Sequence, residues 1–306
     1  MGEIRDTFQG VSDCRIHYCC WQPEGDPKSV LLLVHGYAEH SGRYARVADC
    51  FVGQGYAVYA LDHRGHGKSA GRRGYFERFQ LLVDDLDTFF GLVREREPGR
   101  SIFLVGHSMG GLLAAAYTIQ HPDQVDGLVL SGPWLRATEG VSPLLQALSG
   151  IISSLFPGTG VTRLAAATIS RDPEVVARYD SDPLNYRGQV PARAGVEMIK
   201  TARRVLRQAQ AITCPVLIMH GTDDKLADPT GSRELYEAIS SADKTLKLWD
   251  GLYHEIFNEP EKMQVLSFMR DWLAGQTSHT LRRELYPELH PERCRRGRQR
   301  GSAERF

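Results

Sequence analysis

The chain has 306 residues, 42% of them hydrophobic, which is enough to bury one large core, and α/β enzymes of this length are commonly single domains. Its 37 basic and 37 acidic residues cancel, so the overall balance argues against a nucleic-acid partner or a polyanionic substrate. Six cysteines (Cys14, Cys19, Cys20, Cys50, Cys214 and Cys294) show neither C-x-x-C pairing nor a framework spacing and read as free thiols.

The first nine residues are polar and mixed in charge, with no apolar stretch or cleavage site of a secretory leader, so a cytoplasmic location is expected. Short aliphatic runs then recur at residues 30–34, 57–61, 102–105, 128–130 and 216–219, with a more polar one at 245–249. Each is bounded by Gly, Pro, Asp or His, as expected of strands buried on both faces of a parallel sheet. Between them lie helical periods. Gln80–Arg96 places Leu82, Leu86, Phe89, Phe90 and Val93 at spacings of three and four, with Asp84, Asp85, Asp87 and Arg94 on the other face. Residues 112–120 form a small apolar helix suited to the interior, and 261–273 a last amphipathic one. This alternation predicts a largely parallel sheet wrapped on both sides.

The alternation fails between about residues 134 and 212, where the pattern is helical, broken by Pro and Gly, and without a convincing strand. An inserted helical cap is the expected reading, within one domain spanning residues 1–275. Its apolar residues Leu144, Leu145, Leu148, Ile151, Ile152, Leu155 and Phe156 suit an acyl-chain tunnel or a face resting on a membrane; ordinary cap packing explains them equally. Residues 276–306 read as a disordered basic tail, since 279–306 carry eight Arg and four Glu and few large apolar side chains.

Gly106-His-Ser108-Met-Gly110 is a G-x-S-x-G pattern, which alone is common by chance. Here a strand-like run ends directly at Gly106 and a small-residue helix begins at Gly111, the strand, sharp turn and helix of a nucleophile elbow. Side chains two residues before and after such a serine would collide with neighbouring backbone, which explains both glycines. Ser108 is therefore the expected nucleophile. A serine needs a base, and the base an orienting carboxylate, in the chain order Ser, Asp or Glu, His. Asp224, in His220-Gly-Thr-Asp223-Asp224 after the strand at 216–219, is the expected acid, with Asp223 and Asp228 as rivals; Asp228 suits a helix cap before Pro229 equally well. His254, on the loop after the next strand, is the expected base. The glycine turn of His35-Gly36-Tyr37 after the first core strand lets backbone amides face the nucleophile, making the amides of Tyr37 and Met109 the expected oxyanion donors.

Taken together, His35-Gly36-x-x-Glu39-His40-Ser41-Gly42-Arg43-Tyr44, Asp62-His63-Arg64-Gly65-His66-Gly67-Lys68-Ser69, Gly106-His-Ser108-Met-Gly-Gly111, Tyr179-Asp-Ser-Asp-Pro-Leu184, His220-Gly-Thr-Asp-Asp224 and Tyr253-His254 resemble the monoacylglycerol lipase family. That family lies in the serine-aminopeptidase-like, lysophospholipase-related group of α/β hydrolases, and the likeness covers roughly residues 10 to 273. It implies an α/β-hydrolase fold, with a mostly parallel eight-stranded sheet, helices on both faces and an inserted helical cap. By resemblance Ser108, Asp224 and His254 match the triad, and Glu39, Arg43 and Tyr179 match positions that help hold the glycerol end of the substrate. This chain departs from the mammalian pattern at Phe257, where a second histidine stands there, and at Ala227, where a reactive cysteine stands.

The expected function is hydrolysis of a monoacylglycerol to fatty acid and glycerol through an acyl-serine intermediate. The expected partners are a small lipid ester and, through the cap, a peripheral membrane surface, with no nucleic acid. No H-E-x-x-H or cysteine cluster offers metal ligands, so neither metal nor cofactor is expected. A lysophospholipase, a general carboxylesterase or an aminopeptidase would use the same triad and differ in the pocket; a non-catalytic binding protein of this fold would have lost a triad member.

Overall fold

The computed structural model describes residues 2–138 and 156–285, with side chains as far as residue 277. Eight strands form one sheet: β1 (Gly2–Gln9), β2 (Arg15–Gln22), β3 (Ser29–Val34), β4 (Tyr56–Leu61), β5 (Ile102–His107), β6 (Gly127–Ser131), β9 (Val216–Gly221) and β10 (Lys244–Trp249). Their spatial order is β1-β2-β4-β3-β5-β6-β9-β10. Six neighbouring strands from β4 to β10 run parallel, and β2 and β1 add an antiparallel edge.

The six aliphatic runs are all strands of this sheet. β1 and β2 went unforeseen: β1 is exposed along almost its whole length and carries Glu3, Arg5 and Asp6, so it lacks the apolar run that marks the inner strands. Pairing along Gly2–Gln9 and Arg15–Gln22 holds it in place of burial.

Side chains of β3 show how the sheet makes two cores. Val30, Leu32 and Val34 join one cluster while Leu31 and Leu33 join the other, as a period of two requires. The first cluster lies under α2 (Gln80–Arg96), α3 (Met109–Gln120) and α5 (Ala192–Gln208), the second under α1 (Ala45–Val52) and α7 (Lys262–Leu285). Each fully buried Leu, Ile or Val contributes about 1.5–3 kcal/mol to this double-sided burial. The helix expected at Gln80–Arg96 coincides with α2, but Asp85 is not on its wet face. It is buried and bound by Arg64 through two hydrogen bonds of 2.7 Å, a pairing with no signature in the local helical period.

Within the stretch expected to be a helical cap, α4 (Pro173–Ser181) starts at the N-cap Asp172, whose side chain accepts from the Glu174 amide, and has proline in its first turn. The same stretch also contains a two-stranded antiparallel ribbon, β7 (Gly160–Thr162) with β8 (Val190–Pro191), too short to show a period of two. Its last helix, α5, buries Ala194, Met198, Ala202 and Val205 in the main core beside α3. It therefore belongs to the layer flanking the sheet. The apolar residues Leu144, Leu145, Leu148, Ile151, Ile152 and Leu155 lie outside the described residues, as does most of the basic tail; Phe156 is 64% exposed. The last helix continues to Leu285, beyond the expected end at 273. Among the described residues no helix is long and apolar enough to cross a membrane.

Candidate active site

Strand β5 delivers Ser108 to the carboxyl edge of the sheet, and the chain reverses there into α3. Ser108 has φ 54° and ψ −119°, a left-handed conformation that costs a non-glycine residue about 1–3 kcal/mol. Its neighbours hold it there: its amide donates to the Ser131 carbonyl, and its own carbonyl accepts from the amides of Leu112 and Trp134, each at 3.0 Å. The flanking glycines leave no room for a side chain. A Cβ on Gly106 would lie 2.4 Å from the Gly110 carbonyl oxygen, and one on Gly110 would lie 2.1 Å from that of Val34. Both are backbone collisions, so the crossing of elbow and β3 admits only glycine.

Asp224 stands in the turn after β9. One carboxylate oxygen accepts from the amides of Leu226 (2.8 Å) and Ala227 (3.0 Å), and the other from His254 Nδ1 (2.6 Å) and His220 Nε2 (3.0 Å). Burial opposes its charge, but the His254 charge and the bonds from His220 and His254 outweigh burial and hold the carboxyl far below the usual range. The rivals are placed elsewhere. Asp223 is exposed beside Thr222, and Asp228 caps α6 (Pro229–Ala238) by accepting from the Thr230 amide at 2.8 Å.

His254 is buried on the loop after β10. Burial disfavours its imidazolium, but the charge and hydrogen bond of Asp224, with Glu255 and Glu39 behind, raise it above its ordinary 6.5. His107, the residue before Ser108, lies with its ring centroid 4.7 Å from that of His254. Burial pushes His107 down to about 4, so it stays neutral beside His254. On the end of β6, Gly132 has φ +50°, and a Cβ there would meet the His254 carbonyl at 3.2 Å. The loop bearing His254 is thus packed against the segment that binds the Ser108 amide.

The turn after β3 brings Gly36 against Ser108: a Cβ on it would lie 3.0 Å from the Cβ of Ser108. His35 Nε2 faces the amide of His63 at 3.0 Å and must accept from it, so the proton sits on Nδ1, which donates to the Gly36 carbonyl at 2.7 Å. Burial pushes His35 down to about 3, which keeps it in this neutral form. Because a trans peptide points its C=O and N–H in opposite directions, pinning the Gly36 carbonyl also sets the direction of the Tyr37 amide. Among the described residues no protein group accepts from the amides of Tyr37 or Met109, and the latter opens α3, where the helix dipole favours negative charge.

Glu39, Arg43 and Tyr179 come together beside this turn. Glu39 accepts from the Gly36 amide (2.6 Å), the Tyr44 hydroxyl (2.8 Å) and Arg43 (2.6 Å), and the Arg43 guanidinium lies 4.9 Å from the centroid of the Tyr179 ring. The Tyr179 hydroxyl donates to the Ala38 carbonyl at 3.3 Å. A cavity of about 400 Å³ opens here, lined by Tyr37, Ala38, Leu164, Ala166, Val176 and Tyr179 among others. Glu39 and Arg43 line instead a small void of about 10 Å³ shared with His107 and Glu255.

Sequence reasoning missed His220, His35, His63 and Glu255. His220 holds Asp224 while its Nδ1 faces the Ser232 hydroxyl at 2.7 Å. His35 and His63 stand inside motifs already singled out, and for His35 its place beside the required Gly36 was the available signal. Glu255 offered only its adjacency to His254.

A family described as serine aminopeptidase, S33, matches residues 25–261. The monoacylglycerol lipase of Mycolicibacterium smegmatis is 43% identical over 269 residues, 88% of this chain and 96% of that protein. The human monoglyceride lipase is 33% identical over 261 residues, covering 84% of this chain and 86% of its own. Among solved structures, the monoacylglycerol lipase of Paleococcus ferrophilus matches with a TM-score of 0.77 at 32% identity, over 90% of this chain and 100% of that one. A soluble variant of monoglyceride lipase from Saccharomyces cerevisiae, in complex with a substrate analog, matches with a TM-score of 0.81 at 26% identity, over 90% and 95%. With an elbow serine and a paired histidine and aspartate on the successive loops of an eight-stranded sheet, and with relatives of this identity along almost its whole length, the chain belongs to the monoacylglycerol lipase family of α/β hydrolases and is a carboxylic ester hydrolase.

Proposed function

We propose that the protein hydrolyses the ester bond of monoacylglycerols, releasing fatty acid and glycerol, with Ser108, His254 and Asp224 as its triad. The observation that carries this reading is the 2.6 Å hydrogen bond between Asp224 and His254 Nδ1, which leaves Nε2 as the imidazole's free nitrogen on a ring that lies 4.7 Å from that of His107, the residue before the strained Ser108. His254 takes the Ser108 proton as Oγ bonds to the ester carbon, and the amides of Tyr37 and Met109 hold the oxyanion. The intermediate collapses, the ester C–O bond breaks, and His254 passes the proton to the leaving glycerol oxygen. Water then attacks the acyl-serine by the same route and frees the fatty acid.

The lipid substrate is supported by relatives named for it and by the cavity beside Tyr37, where Ala38, Leu164, Ala166 and Val176 give an apolar wall alongside the charged Arg163, Asp180 and Arg187. Tyr179 meets the alcohol end from that lining, with Arg43 packed on its ring and Glu39 holding Arg43. The exposed Phe156 supports a cap that rests on the lipid surface from which substrate is drawn.

A fluorophosphonate probe tests the chemistry. The wild type becomes labelled on Ser108 and Ser108→Ala does not; a folded wild type that resists the probe would falsify the triad.

A further inference from the structure

Glu255 follows the base directly, and its carboxylate is spent on a chain of buried charges. Both of its oxygens accept from Arg43 at 2.7 Å, and one also accepts from Asn258 Nδ2 at 2.9 Å. Arg43 binds Glu39 at 2.6 Å, and Glu39 binds the Gly36 amide at 2.6 Å, one residue before the Tyr37 amide. The backbone amide of Glu255 donates to the Ile169 carbonyl at 2.8 Å, so the same residue also touches the segment entering α4. Residues more than 200 positions apart in sequence are joined in this way, and each of the three charged side chains is nearly buried.

Two carboxylates and one guanidinium leave the chain with a net charge of −1. Burying an ion triad gains little stability over a well-packed apolar one, so the use of such a triad here points to what it does for its neighbours. His254 meets Asp224 at Nδ1, with His220 beyond it, and His107 at its ring, and the charges of Glu255 and Glu39 act on it, with Arg43 bound between those two carboxylates. His107 is neutral, and Arg43 is offset by its two partners. The remaining negative charge favours the imidazolium that forms when His254 takes the serine proton.

We propose that Glu255 is a positioning residue for the hydrolysis, holding the base loop in register with the oxyanion turn through Arg43 and Glu39 and supplying the negative charge that favours protonated His254. This rests on the assignment of Ser108 and His254 as nucleophile and base.

The test compares the wild type with Glu255→Gln, which keeps the shape, and Glu255→Asp, which keeps the charge, on a soluble p-nitrophenyl ester over roughly pH 5 to 9. In Glu255→Gln kcat falls about tenfold with KM within about twofold, and the acid limb of kcat/KM moves down by on the order of half a pH unit, because a charge that favoured the imidazolium is gone. In Glu255→Asp the limb stays in place while kcat falls, since the shorter side chain loses its reach to Arg43. A limb unmoved in Glu255→Gln overturns the proposal, whatever happens to kcat, because a merely structural residue would not shift it. If Glu255→Gln does not fold, judged by circular dichroism, Glu255→Asp decides: wild-type kcat in that variant overturns the proposal. Fluorophosphonate labelling of the wild type separates the two readings, because failure to label Ser108 defeats the triad, whereas labelling with an unmoved limb defeats only the role of Glu255.

Discussion

At the residue scale, His254 is set by a contest between burial and carboxylates, and the carboxylates win. Its pKa is raised above 6.5, and the base must be neutral to act, so kcat/KM falls as pH drops through that raised value. In Asp224→Asn the carboxylate's charge and its acceptance from Nδ1 are lost and burial prevails. The acid limb then moves to lower pH, while kcat drops by about four orders of magnitude because the imidazole no longer has a partner for its protonated form. Stopped assays across pH check both, and an unmoved limb in Asp224→Asn contradicts the assignment of the acid. The proposed triad residues were singled out from sequence because each sits at a required spacing after a strand. Their supports were not. His220, His35 and Glu255 act through hydrogen bonds whose partners lie at Ser232, His63 and Arg43, and such pairings depend on how the chain folds back.

At the element scale, the elbow depends on β5, α3 and β3 crossing at backbone contact. A methyl on Gly110 would fall 2.1 Å from the Val34 carbonyl oxygen, and no side-chain rotation relieves it. Gly110→Ala is expected to destabilise the protein by about 3 kcal/mol, measured as a lower urea midpoint. The control is Gly91→Ala in α2, where an added Cβ meets nothing within 4 Å. That change is neutral or stabilises by up to about 1 kcal/mol through helix propensity. Equal effects at the two glycines would contradict the packing described for the elbow. The inner strands and α2 were legible because burial on both faces, or on one helical stripe, writes a period into the sequence. The edge strand β1 and the short ribbon β7–β8 are held by pairing and leave no such period.

At the scale of the whole molecule, the loop carrying His254 is a junction between the sheet and the segment leading into α4. Glu259, fully buried, accepts from the Ser170 hydroxyl (2.6 Å), the Arg171 amide (2.7 Å) and the Tyr253 amide (3.3 Å), and pairs with the Arg171 guanidinium; Arg171 also pairs with Glu261. Glu255 adds the bond to Ile169. Contacts from the loop that carries His254 and much of the lining of the cavity beside Tyr37 therefore meet in one stretch of chain, residues 163–180. The proposed chemistry is easier to read from sequence than the cavity. Triad spacing is local to each loop, whereas the cavity is assembled from the turn after β3, from α4 and from the segments flanking α4. The central claim is tested most directly by a hydrolysis panel in which wild type and Ser108→Ala meet monoacylglycerols, lysophospholipids, p-nitrophenyl esters and aminoacyl anilides under one set of conditions. The account predicts the highest kcat/KM on monoacylglycerols, lost in Ser108→Ala; fastest turnover of the anilides or lysophospholipids would contradict it.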